Sequence, residues 1–306
     1  MVASRVVVAD RVIGVDLGGT KILAGVVERD GTVVTRAERP TPLDSQAALL
    51  EALAESVEEC LSAAGEVAAL GFGVPSRLDT VTGAIVASVN VPLTGLDLDG
   101  WMTERFSLPV GIENDGSAAT LAEWRYGAGR GSRNLVMLTL GTGIGGGVVL
   151  DGRPLRGWAE LGHIVVAHDG PPCPCGGRGH LEAFASGTAG DGVARGLLGP
   201  GADAAALVAA ARGGDGEARE ALERIGGYLG SGLGSLVNIF NPELVVVGGG
   251  FAAAGALLLE PARAVLAREA LPPADERVRV VSAELGGEAG LVGAALIAFE
   301  ACGGEA

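Results

Sequence analysis

One pattern is written twice in this chain, and it limits the available folds more than any other feature. Val12–Val27 reads as an apolar strand carrying Asp16 near its end, a turn through Gly18, Gly19 and Thr20, and a second apolar strand from Ile22. A third run, Val33 to Arg39, follows the Asp30-Gly31 turn. Leu135–Gly152 repeats the plan: apolar strand, a turn through Gly141, Thr142 and Gly143, apolar strand, and an Asp151-Gly152 turn. Each copy is an antiparallel meander rather than a strand feeding a helix. A P-loop is thereby excluded, since Thr20 precedes Lys21 and a β-branched run follows where that loop requires a helix. Gly141, Gly143 and Gly146 match Gly-x-Gly-x-x-Gly literally, yet β pattern continues where a dinucleotide fold opens a helix. The expected class is α/β, built from two related halves.

Both turns present backbone N–H groups that can cradle phosphates, and Asp16 could hold Mg²⁺ through water. An ordinary hairpin with an aspartate at its strand end would read the same way. Between the copies, Leu49, Leu50, Leu53, Val57, Cys60 and Leu61 recur at helical spacing among glutamates, which predicts an amphipathic helix over residues 45–64. Strands are expected from Ala68 to Val74 and from Gly83 to Val89. The second delivers Asn90, a substrate contact or a turn former. Val110–Asp115 reads as a strand breaking into a helix. Asn114-Asp115 at that junction is either a helix cap or a catalytic carboxylate at the carboxyl end of a strand. Glycine-rich Gly127–Asn134 marks a domain boundary. After it come helix-compatible segments 182–198, 217–240, 256–271 and 289–300, with strands at 244–247, running into Gly248, Gly249 and Gly250, and at 278–282.

The stretch 157–182 concentrates scarce chemistry. His163, Cys173, Cys175 and His180 offer two imidazoles and two thiolates, the donors tetrahedral zinc favours, on a glycine- and proline-rich loop able to wrap a small ion. The alternative is a flexible loop with two free thiols. In a closed structural zinc knot, Glu160 and Glu182 are not needed as ligands and are left to face a polar substrate.

The chain has 306 residues, enough for two domains. Its formal charge of −15, from 22 basic against 37 acidic residues, opposes nucleic acid or an anionic membrane as partner. A small neutral substrate fits better. No run of about 20 apolar residues and no leader pattern stands out, so a cytoplasmic protein is expected. With Cys60 in a helical apolar pattern and Cys302 in the tail, no disulfide framework is implied.

Taken together, the two strand–turn–strand copies, Asn114-Asp115, Glu160-Leu161-Gly162-His163 and the Cys-x-Cys-Gly-x-x-Gly-x-Leu-Glu run ending at Glu182 resemble the ROK family of sugar kinases, most closely its bacterial glucokinases, from Val12 to about Phe299. The resemblance implies an actin-like ATPase (ribonuclease H-like) fold, two α/β lobes around a cleft. The small lobe would be residues 1–130, joined by the C-terminal helix 289–306, and the large lobe 131–288 with the zinc-knot loop. It further implies ATP-dependent phosphorylation of a hexose, glucose to glucose 6-phosphate, with Asp115 as base and Asn90, Asn114, Glu160, His163 and Glu182 holding the sugar. ATP·Mg²⁺ would lie on Asp16, Gly18, Gly19, Thr20 and Lys21 and on Gly141, Thr142 and Gly143, with Gly248, Gly249 and Gly250 near the adenosine and Zn²⁺ structural. Members are commonly homodimers or homotetramers. The chain departs from the family twice: His180 stands where a third cysteine is usual, and Pro75-Ser76-Arg77-Leu78-Asp79 replaces Pro-Gly-Pro-x-Asp near the sugar. Alternative acceptors are N-acetylmannosamine, fructose, allose and mannose, and polyphosphate is an alternative donor. A sugar-responsive repressor is the competing class, opposed by the acidic charge.

Overall fold

The structure, a computed structural model, describes residues 10–79, 82–88, 91–156 and 159–303. These form two compact units. The first holds the described residues up to Ala122, Arg156 and those from Glu288 onward; the second holds Glu123–Leu155 and Ala159–Gly287.

In the first unit the chain runs β1 (Arg11–Leu17), β2 (Lys21–Glu28), β3 (Ala37–Pro40), α1 (Gln46–Ala64), β4 (Leu70–Val74), a small ribbon of β5 (Ser76–Leu78) and β6 (Ile85–Ser88), α2 (Leu98–Phe106), β7 (Val110–Asn114) and α3 (Asp115–Tyr126). The main sheet has the order β3-β2-β1-β4-β7, antiparallel through the opening meander and parallel from β1 to β7. The third strand begins later than Val33, which makes only a single bridge to Val27. α1 starts where Ser45 accepts a hydrogen bond from the Ala48 amide, and it buries Leu49, Leu53, Val57 and Cys60 with Ile13, Val15 and Phe72.

The second unit follows with β8 (Leu135–Leu140), β9 (Ile144–Leu150), β10 (Arg153–Pro154), α4 (Glu182–Ala185), α5 (Gly187–Leu198), α6 (Ala204–Arg212), α7 (Gly216–Phe240), β11 (Leu244–Gly248), α8 (Ala256–Glu269), α9 (Ala274–Arg277) and β12 (Arg279–Ser282). Its sheet order, β10-β9-β8-β11-β12, repeats the first sheet strand for strand and direction for direction. α7 is one unbroken helix that stops at Asn241, in the left-handed region ahead of Pro242. No helix among the described residues is long and apolar enough to cross a membrane.

The division between units falls inside α3, after Ala122. Glu123 is fully buried, and its carboxylate accepts hydrogen bonds from the amides of Ala128, Glu284 and Leu285 at 2.9, 3.1 and 2.7 Å. A buried carboxylate needs such donors, and these tie the entry of the second unit to its exit.

The last helix, α10 (Ala289–Ala301), belongs to the first unit and lies in a trough on its sheet. Register aligns Gly25 with Gly14, Gly14 with Gly71 and Gly71 with Gly111, so a row without side chains crosses four strands. A Cβ on Gly14 or Gly71 would collide with the carbonyl oxygens of Leu291 and Ala294, and one on Gly111 would stand 2.8 Å from that of Ile297. The helix is accordingly apolar on nearly every side, with Leu291, Ala295 and Phe299 meeting Val12, Leu23 and Val27. Gly71→Ala is expected to cost about 3 kcal/mol through overpacking, lowering the melting temperature by roughly 10 °C. Unchanged melting by circular dichroism would rule out so tight a trough.

Candidate functional site

Each unit gathers its own set of the residues singled out above. In the first, Asp16 ends the parallel-paired part of β1, opposite Gly73 of β4, while Asp115 opens α3 directly after β7. A Cβ on Gly73 would stand 3.7 Å from Asp115 Cα and 3.9 Å from Asp16 Oδ1, so both acidic residues flank one bare strand position. Gly290, at the start of α10, backs onto the Asp16 carboxylate, leaving no room there for a side chain. Burial pushes the Asp16 carboxyl up to about 6, against the pull of the Lys21 ammonium. A bound dication would favour the ionised form.

The turn beside Asp16 is held from within. The Gly18 amide donates to the Lys21 carbonyl at 2.9 Å, and Thr41 donates its hydroxyl to the Gly18 carbonyl at 2.7 Å. Lys21 itself is paired on the surface with Glu38 of the neighbouring strand at 2.8 Å, both side chains being more than half exposed.

At the β7–α3 junction the cap reading holds for Asn114, while Asp115 stands at the carboxyl end of β7. Asn114 is the cap: its Oδ1 accepts from the Ser117 amide at 3.1 Å, and its Nδ2 donates to the Ser76 carbonyl at 3.3 Å. Asp115 Oδ1 accepts from the Gly116 amide at 2.8 Å. Beneath them lies a feature not anticipated from the sequence. Glu113 is 6% exposed, accepts from the Asn114 amide at 3.0 Å and from Arg156 Nη1 at 2.9 Å, and Arg156 Nη2 also donates to Glu300 at 2.6 Å. An ionisable residue in an otherwise apolar strand was the available signal, because a buried carboxylate demands a partner. Asn90 lies outside the described residues.

In the second unit the Gly141–Gly143 turn closes with the Gly141 amide donating to the Gly143 carbonyl at 2.9 Å. Two contacts from the α4–α5 region brace it. Glu182 Oε2 accepts from the Ile144 amide at 2.9 Å, and the Gly187 amide donates to the Gly141 carbonyl at 2.7 Å. Glu160 is exposed, one position ahead of the single helical turn Leu161–His163. Beyond β11, Gly249 has a structural reason to be glycine: its φ is 88°, and a Cβ would stand 2.5 Å from the Leu140 amide nitrogen. Gly248 ends β11, and Gly250 next to it is exposed, with open space where a Cβ would stand.

His163, Cys173, Cys175 and His180 do come together, with one donor atom from each lying within 4.8 Å of all the others. The loop is folded by bridges from Val165 to His180 and from Pro172 to Arg178. Tetrahedral zinc at about 2.3 Å from sulfur and 2.0–2.1 Å from nitrogen sets donors roughly 3.3–3.8 Å apart, a contraction of roughly an ångström or so. Three observations fit such an ion. Cys175 Sγ lies 3.2 Å from His180 Nδ1, the two imidazoles stack at 5.4 Å, and His163 Nδ1 is buried with no hydrogen-bond partner. Without a metal, burial pushes the Cys173 thiol up to about 12, so a soft cation is what would make it a thiolate. Cys173 also donates to Glu182 Oε1 at 3.5 Å, placing the same carboxylate against both the donor cluster and the glycine turn.

Comparison with known proteins follows the same lines. The model of the ROK family matches residues 12–301. The glucokinase of Thermotoga maritima is 38% identical over 318 residues, covering 96% of this chain and 99% of that protein. Among solved structures, the ROK family glucokinase from Streptomyces griseus in complex with glucose and AMPPNP gives a TM-score of 0.83 at 34% identity, over 95% of this chain and 99% of that one. A ROK family transcriptional regulator, a homologue of the E. coli MLC protein, gives 0.86 at 28% identity, over 95% of this chain and 78% of that one.

Proposed function

Since this chain belongs to the ROK family and has its actin-like ATPase fold, we propose that it is a sugar kinase, transferring the γ-phosphoryl group of ATP to glucose. The observation that carries this is the doubled sheet: each copy ends its first strand in a glycine turn, and the first also sets Asp16 and Asp115 at the carboxyl ends of parallel strands. Phosphoryl transfer asks a protein mainly for positioning and charge stabilisation, which turns of backbone amides and a magnesium-binding carboxylate supply.

In this proposal the phosphates of ATP·Mg²⁺ rest on the turns Gly18–Thr20 and Gly141–Gly143, Asp16 holds the metal through water, and Gly248 and Gly250 border the adenosine. Asp115 accepts the proton of the attacking sugar hydroxyl as that oxygen bonds to the γ-phosphorus and ADP leaves. Glu160, His163, Glu182 and Asn90 hold the other hydroxyls. Asn114 contributes its second amide N–H and the remaining lone pair of Oδ1, one N–H being given to the Ser76 carbonyl and one lone pair to the cap. Zinc would be held by His163, Cys173, Cys175 and His180 and would supply rigidity, with no part in the transfer. The reaction is placed in the cytoplasm, where ATP is made, at the entry of hexose into glycolysis, in a homodimer or homotetramer.

The test is sugar-dependent ADP release across a panel of glucose, mannose, fructose, allose, N-acetylglucosamine and N-acetylmannosamine, repeated with polyphosphate. The highest kcat/KM is expected for glucose with ATP. Absence of any sugar-dependent ADP would overturn the kinase and favour the second reading, a sugar-responsive regulator, which the 0.86 superposition supports and the charge of −15 opposes.

A further inference from the structure

We infer that Glu182 is a positioning residue for the nucleotide-binding turn, holding Gly141–Ile144 in its binding shape before any sugar arrives. The inference rests on the assignment of the nucleotide phosphates to that turn. A residue that only bound sugar would aim its carboxylate at solvent or substrate. Here Oε2 accepts from the Ile144 amide at 2.9 Å, while Oε1 lies 3.5 Å from Cys173 Sγ, which can donate to it only as the metal-free thiol. The approach is close: a Cβ on Gly143 would collide with Oε2, so a side chain at 143 could be accommodated only by moving the carboxylate off the turn. Five residues on, the Gly187 amide bonds the Gly141 carbonyl, and a Cβ on Gly187 would stand 2.7 Å from that oxygen. The segment from Glu182 to Gly187 is therefore clamped to the turn at both ends. The amides of a glycine-rich turn bind phosphate only while they point the same way, and a turn of such residues loses much conformational entropy when it is fixed. An acceptor in a charge-assisted bond to one of those amides offsets that loss in advance.

The test is a mutant cycle read by Mg·AMPPNP binding without sugar and by hydrogen exchange at the Ile144 amide. Glu182→Ala is expected to raise the nucleotide Kd about tenfold and to speed Ile144 exchange by a similar factor. Glu182→Gln, whose amide oxygen can still accept from Ile144, should stay within about threefold of wild type on both readouts. A plain sugar ligand would leave both readouts untouched in either variant. Gly143→Ala should weaken nucleotide binding at least about tenfold in the wild-type background, yet cost little once residue 182 is alanine, because the colliding carboxylate is gone. Exchange within α7 and the zinc content serve as controls for a generally disturbed unit. Unchanged AMPPNP affinity and Ile144 exchange in Glu182→Ala would overturn the inference, as would an equal Gly143→Ala penalty in both backgrounds. A wild-type protein that fails to bind AMPPNP at all would instead sink the kinase assignment on which the inference stands.

Discussion

Asp115→Asn is expected to lower kcat by about 10³-fold while leaving the dissociation constant for glucose within about threefold. Asparagine keeps the shape and one acceptor for the Gly116 amide but cannot take up the proton of an attacking hydroxyl. Folding should suffer little. The helix loses one negative charge from its first turn, worth about 0.3–1 kcal/mol, while Asn114 keeps its cap on Ser117. Steady-state assay and sugar calorimetry on the same preparation separate the two effects. Near-normal turnover would remove Asp115 from the role of base, and lost sugar binding with lost melting would show a structural residue instead.

The second large effect concerns the metal. Elemental analysis should find about one zinc per chain, and Cys175→Ser should reduce it to near zero. Cys175 is exposed, so the substitution opens no cavity in the core, and any loss of melting temperature reports the missing ion. The ligands anchor the Leu161–His163 turn next to Glu160, and Cys173 touches Glu182. Chelation should therefore lower kcat/KM for glucose together with stability. A fully active, fully stable protein carrying no zinc would refute the closed knot.

Much of this was legible in the chain because the relevant signals are local. The strand–turn–strand copies, the helical spacing of Leu49, Leu53, Val57 and Cys60 in α1 and the spacing of His163, Cys173, Cys175 and His180 each depend on residues a few positions apart. What escaped depends on register. The pairing of Lys21 with Glu38 arises only once β2 and β3 lie side by side. The bond from the Asn114 side-chain amide to the Ser76 carbonyl joins residues 38 apart in the chain. Glu113, Arg156 and Glu300 are far apart in the chain, and no local pattern links them. The aligned glycines could not be recognised either, since Gly14, Gly25, Gly71 and Gly111 form a row only after four strands have paired.

That row carries a cost for biosynthesis. All four of its strands have been synthesised once Asn114 is made, yet the helix that covers them begins only at Ala289. Throughout the interval a nascent chain exposes a greasy, unroofed strip, and its closing contacts are among the longest-range in the molecule, the kind that form slowly. Translation speed and chaperone supply should thus govern the yield of the first unit more than that of the second, whose sheet and covering helices are synthesised largely in one stretch.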